Sequence, residues 1–252
     1  MLLPMSNSQM QRYSLGLPSH QCLVQLMSAL GRTHVFLNRI SISLCPIKTP
    51  GSLALSPRIR KELSLATQQL TDFKFILLYE PRSYQMTWAD LNEFLSTCLD
   101  TSSLQYIELL TRSSERLAKA IDIGKALGSR PREKLTHVII EGSSVHLSEL
   151  IAFLDALPES ITRLRLAIIH LRSGTWKQAL DELRKKKYHV KNYIIRDPSG
   201  AEVDSRSGSD RFRPSDIFGN YYDIEGPPER AMVSKADRYI TGQDPQQPNP
   251  LL

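Results

Sequence analysis

Six segments share one spacing of apolar residues, apolar-x-x-apolar-x-apolar, and this spacing constrains the fold more than any other feature of the chain. The fullest copy is Leu37, Ile40, Ile42, Cys45 and Ile47. The others begin at Leu70, Leu104, Leu135, Ile161 and Val190, so the starts differ by 33, 34, 31, 26 and 29 residues. Within the first copy, Arg39-Ile40-Ser41-Ile42-Ser43-Leu44 alternates polar and apolar, as a strand with one buried face does. One such unit cannot cover its own apolar side. Stacking six of them buries it continuously.

The spacing matches the leucine-rich-repeat template. The predicted fold class is α/β: a leucine-rich-repeat-like solenoid of about six strand-helix units, with parallel strands on one face. Helical patterns fall between the strands. Cys22–Leu30 stops at Gly31, and Pro57 opens a helix to Leu65. Glu115–Leu127 stops at Gly128, and Leu147–Leu157 stops at Pro158. Thr87-Trp88 and Thr175-Trp176 open two related helices, each with Thr as N-cap. The matched placement of Trp88 and Trp176 predicts core packing rather than binding anchors. The organisation predicted is a flexible segment over 1–20, the solenoid over 21–200 and a partly disordered tail over 201–252. Within that tail, Phe218-Gly219-Asn220-Tyr221-Tyr222 is placed to dock on the last unit, and the Pro-rich end from Asp244 is expected to be extended and mobile.

Charge is spread unevenly. Residues 201–252 hold six Lys/Arg and nine Asp/Glu, leaving 26 basic and 17 acidic residues in the body. That imbalance suits an acidic partner, although diffuse charge of this kind is usually a solvated surface. Cys22, Cys45 and Cys98 are far apart and form no C-x-x-C pair, which argues against a disulfide framework or a zinc site and for the cytosol or nucleus. No apolar run approaches the length of a membrane span, and Met1–Met5 is too short for a signal core.

No catalytic motif survives inspection. Gly124-Lys125 lacks the earlier glycine and the following Ser/Thr of a phosphate loop. The six histidines are scattered, and Gly142-Ser143-Ser144 reads as the turn after a strand. The run Arg184-Lys185-Lys186-Lys187 falls where a helix should end, a place that favours cations. No cofactor is predicted, and the absence of aromatics interleaved with basic residues argues against nucleic acid.

The outward strand positions are the best candidate surface. One row is Arg39, Asp72, Tyr106, His137, Arg163, Asn192. The next is Ser41, Lys74, Glu108, Ile139, Arg165, Ile194. The third is Ser43, Ile76, Leu110, Glu141, Ala167, Arg196. The protein-binding residues selected from these rows are Tyr106, Glu108, His137, Ile139, Glu141, Arg163, Arg165 and Arg196, since a mixture of Arg, Tyr, Glu and aliphatics suits protein recognition. The expected function is non-catalytic protein binding.

Residues 100–252 also resemble a family. Leu135-Thr136-His137-Val138-Ile139-Ile140, Ile161-Thr162-Arg163-Leu164-Arg165-Leu166 and Ser173-Gly174-Thr175-Trp176 are similar to the degenerate repeats of fungal F-box proteins. Tyr239-Ile240-Thr241-Gly242 and Asn249-Pro250-Leu251 resemble their tails. The resemblance implies a substrate-recognition subunit of a ubiquitin ligase, joined to a Skp-type adaptor and a cullin through an F-box. The first 30 residues lack the Leu-Pro-led three-helix pattern of an F-box, so this alternative takes it as lost or outside the chain. The third alternative is an enzyme with a site built from loops.

Overall fold

Each alternating segment forms a strand, and helices connect successive strands. In the computed structural model, the residues described are 19–44, 53–78, 88–112, 121–128, 131–185, 192–200, 214–219, 234–242, 246 and 248–251. In chain order the elements are α1 (Ser19–Arg32), β1 (Arg39–Leu44), α2 (Pro57–Thr67), β2 (Asp72–Leu78), α3 (Trp88–Cys98) and β3 (Tyr106–Arg112). There follow β4 (Ile121–Asp122), α4 (Ile123–Leu127), β5 (His137–His146), α5 (Leu147–Asp155), β6 (Arg163–Ser173) and α6 (Trp176–Lys185). The last are β7 (Asn192–Arg196), β8 (Ser199–Gly200), α7 (Pro214–Phe218) and α8 (Lys235–Thr241).

The strands form one open, parallel sheet in the order β1-β2-β3-β5-β6-β7, with β4 beside β5 and β8 beside β6. Parallel neighbours need a long crossover, and the helices supply it. The register is Arg39↔Asp72, Asp72↔Tyr106, Tyr106↔His137, His137↔Arg163 and Arg163↔Asn192. These offsets are the spacings between the apolar repeats, so residues equivalent in sequence lie side by side across six strands.

One face of the sheet is apolar because every second residue is. Phe73, Phe75, Leu77, Ile107, Leu109, Val138, Ile140, Leu164 and Leu166 are all buried there. The helices cover them with Leu63, Leu91, Phe94, Phe153, Trp176 and Leu180, and all join one core. Local chemistry starts the helices. Ser56 Oγ accepts from Ile59 N–H ahead of Pro57. Thr175 and Gln178 cap each other: Gln178 N–H donates to Thr175 Oγ1 at 3.2 Å, and Thr175 N–H donates to Gln178 Oε1 at 3.1 Å. Gly174 just before has φ +79°, and a Cβ there would lie 2.5 Å from Leu147 Cβ, so no other residue fits this turn.

Several expectations change. Of the helix predicted over 115–127, Ile121–Asp122 are a strand and Ile123–Leu127 a helix, while 115–120 lie outside the described residues. The buried Asp122 explains this: its N–H donates to Asn92 Oδ1 at 2.9 Å, and its carboxylate caps Lys125 and meets Arg172 Nη1 at 2.8 Å. Gly142-Ser143-Ser144 is part of β5, not a turn. The chain bends there instead: Gly142 (φ +69°), Ile168 (φ +53°) and Asp197 (φ +44°) follow the in-register set Glu141↔Ala167↔Arg196. Both tryptophans pack on the core as predicted, Trp176 fully buried and Trp88 partly buried. Near the chain end, Asn249 and Leu251 are buried rather than extended into solvent: Asn249 Nδ2 donates to Lys177 O and Asp181 Oδ1. Cys45, Thr87 and Leu17-Pro18 lie outside the described residues.

Candidate functional site

The polar face of the sheet carries the three rows of outward residues, and the structure divides it into an open half and a covered half. On the open half, β1 presents Arg39, Ser41 and Ser43, all exposed. β2 and β3 present Asp72, Lys74, Ile76, Tyr106 and Glu108, all half-buried. His137 and Arg163 continue the first row, also half-buried.

Ion pairs link neighbouring strands here. Arg39 Nε lies 3.4 Å from Asp72 Oδ2, and Lys74 Nζ lies 3.0 Å from Glu108 Oε1. Both are directly opposed cross-strand pairs. Thr71 Oγ1 donates to Asp72 Oδ2 at 2.6 Å, and Tyr106 Oη donates to Glu108 Oε2 at 2.7 Å. The Tyr106 ring stands 5.9 Å from the His137 ring at 34°, and His137 Nδ1 is 3.0 Å from Thr136 Oγ1. Burial, and then the Glu108 carboxylate that accepts its proton's hydrogen bond, push the Tyr106 phenol well above its usual range. Tyr106 is therefore a donor at any physiological pH, and Glu108 holds both it and Lys74. Side chains fixed in this way lose little freedom when a partner lands on them.

The covered half corrects the candidate set. Of the eight residues selected, Ile139, Glu141 and Arg196 are buried, with Arg196 at 1% exposure. Ile139 is flanked in its row by Glu108 and Arg165. Arg165 Nη2 donates to Glu141 Oε2 at 3.3 Å. Arg196 Nη1 donates to Asp237 Oδ2 at 2.8 Å, a carboxylate brought over the last strand by α8. Ala167 and Ile194 form a small apolar cluster beside them. The structure thus brings Tyr106, Glu108, His137 and Arg163 together on the open half and leaves Ile139, Glu141 and Arg196 inside, with Arg165 at the boundary.

The selection also missed residues. Arg39, Asp72 and Lys74 were in the rows but not among the eight, yet their cross-strand pairs make up the open half. Their signal was present as opposite charges at equivalent repeat positions. No family model matches the chain, no curated protein matches it, and no solved structure matches it.

The opposite layer has two shallow clefts of about 400 and 550 Å³. Arg60 and Glu93 pair across the first, between α2 and α3. Ser96 and Asp100 are shared with the second, which reaches Lys125 and Arg132. Arg132 Nη2 donates to the carbonyls of Leu127 (2.7 Å) and Leu99 (3.3 Å), so it holds backbone. Among the described residues, no three His, Cys, Asp or Glu are grouped to hold a metal ion, and no helix is long and apolar enough to cross a membrane.

Proposed function

We propose that this chain is a non-catalytic protein-binding module, a leucine-rich-repeat-like solenoid that holds a protein partner against the open half of its sheet face, in the cytosol or nucleus. The supporting observation is the in-register row Arg39, Asp72, Tyr106, His137, Arg163, in which equivalent repeat positions stand on neighbouring strands about 4.8 Å apart. Such a row offers evenly spaced contacts to an extended surface. Its mixture of guanidinium, carboxylate, phenol and imidazole suits a protein better than a phosphate backbone.

The test is capture of tagged protein from its native host, with mass spectrometry of what accompanies it. Wild type is compared with Tyr106→Ala/Arg163→Glu, and with Ser96→Lys as an exposed control on α3, in the helix layer. Partners kept by wild type and the control but lost by the face variant support the reading. The same partners on all three contradict it.

A second reading is a substrate receptor of a Skp-cullin ubiquitin ligase. It is favoured by the way the residues that resemble fungal F-box proteins pack on one another. Trp176 Nε1 donates to Ser199 O at 2.9 Å, and its ring meets Phe218 edge-on at 6.1 Å. Tyr239 Oη and Asn249 Nδ2 both donate to Asp181 on the Trp176 helix. The Gly-Thr-Trp segment and the tail therefore act as one physical unit. A Skp-type adaptor and a cullin in the same capture would support this reading. Other specific partners without them would contradict it.

A further inference from the structure

The outer edge of β1 is a second surface, distinct from the sheet face. The Asn38 carbonyl accepts from Thr71 N–H at 2.8 Å and Asp72 N–H at 3.1 Å, so it faces β2. Peptide groups alternate in direction along a strand, so those of Arg39, Ser41 and Ser43 point away from β2. Among the described residues none pairs with them. An unpaired edge of this kind is a template for another strand.

Two further observations say what would pair there. The large apolar side chains that are exposed among the described residues, Leu26 (60%), Val35 (45%) and Phe36 (37%), all lie on α1 or in the turn entering β1. The charge at this end is cationic. Arg39 is 82% exposed, and α1 carries Arg32 and no acidic residue. Within the first row a cation on β1 already faces an anion on β2, and the position beyond Arg39 would complete the alternation with a second anion.

We propose that this edge binds an extended segment of a partner protein by strand addition. Its inward side chains are apolar and continue the row of Ile40, Ile42 and Leu44, and an acidic residue lies beside Arg39. Main-chain hydrogen bonds supply the affinity, and the acid sets register and choice of partner. A second copy of the chain fits less well, because pairing two such ends sets like charges together. The proposal does not rest on the sheet-face reading.

The test measures amide hydrogen exchange of the full chain, at single-residue resolution, with a capped peptide Asp-Val-Thr-Val-Thr-Val at millimolar concentration and with its Lys-for-Asp analogue. The expected result is about tenfold slower exchange at Arg39, Ser41 and Ser43 with the acidic peptide, as a K of about 10 between paired and unpaired edge would give. The Lys analogue should bind about threefold more weakly at low salt, and Arg39→Glu should reverse the preference. No slowing at β1, or equal slowing by both peptides in wild type and R39E, overturns the proposal. So do outward amides that are already slow without peptide: at every protein concentration if the chain covers its own edge, or only as concentration rises if a second copy does.

Discussion

The two edges of the sheet are built from the same strand pattern and end differently. At β7 the edge is closed by the chain itself. Ile195 N–H donates to Asp237 Oδ1 at 3.3 Å, and the other oxygen of that carboxylate takes Arg196. Ser234 and Asp237 cap α8 reciprocally, so the residue that closes the edge is itself held in place. Phe218 is fully buried against Trp176, and the Arg184 guanidinium lies 4.2 Å over the Tyr239 ring. At β1, exposed Arg39, Ser41 and Ser43 alternate with Ile40, Ile42 and Leu44, and Leu26, Val35 and Phe36 stand in solvent. A strand's own pattern says which face is buried. Whether its edge is paired depends on what the rest of the chain places beyond it.

Breaking the closed end should have the largest effect. Asp237→Ala removes the carboxylate that the buried Arg196 and the Ile195 amide both use, and should cost about 4 kcal/mol in denaturant unfolding. Replacing the pair with Arg196→Met and Asp237→Leu should recover part of that loss, since aliphatic side chains avoid the desolvation of a buried pair, while the Ile195 amide still lacks its acceptor. Phe218→Ala leaves a cavity beside Trp176 and should cost about 3 kcal/mol.

At the open end the same kind of change should do little to stability. Phe36→Ser and Leu26→Ser should each stay within about 0.5 kcal/mol of wild type in the same assay, because exposed side chains contribute little. The smallest effect is a local one. Ser28 and Arg58 hydrogen bonds to Glu62 hold its carboxyl below its usual range against the opposing pull of burial. A lowered folded pKa contributes stability that is present above the ordinary carboxylate range and lost as pH falls through it. Amide protection in α1, taken relative to the intrinsic exchange rate at each pH, should therefore fall at acid pH before that of the sheet, and Glu62→Gln should remove that pH step.

Much of this was legible in the sequence, because alternation fixes which side chains share a face and the repeat spacing fixes register. The row from Arg39 to Asn192 could be written down before any coordinates. Burial within the rows could not. Arg196 occupies the same repeat position as exposed Ser43, and what separates them is Asp237, 41 residues further along the chain. A capping box at Ser234-x-x-Asp237 was the available clue, but it announces a helix and not its docking place. Residues 115–127 misled for a related reason. Their apolar spacing fits a helix, but at Asp122 the backbone N–H donates to Asn92 and the carboxylate accepts from Arg172, which favours a strand at Ile121–Asp122 and a short capped helix from Ile123. The two tryptophans occupy equivalent places in helices of similar sequence. Only Trp176 has Phe218 beside it, and only Trp176 is buried.

The most direct test of the contrast between the two ends is residue-resolved amide exchange of the unmodified chain in D2O, comparing Ile195 with Arg39, Ser41 and Ser43. The expected result is slow exchange at Ile195, approaching that of core strands, and fast exchange at the three outward amides of β1. Fast exchange at Ile195, or protection at β1 equal to that of β7, would contradict it.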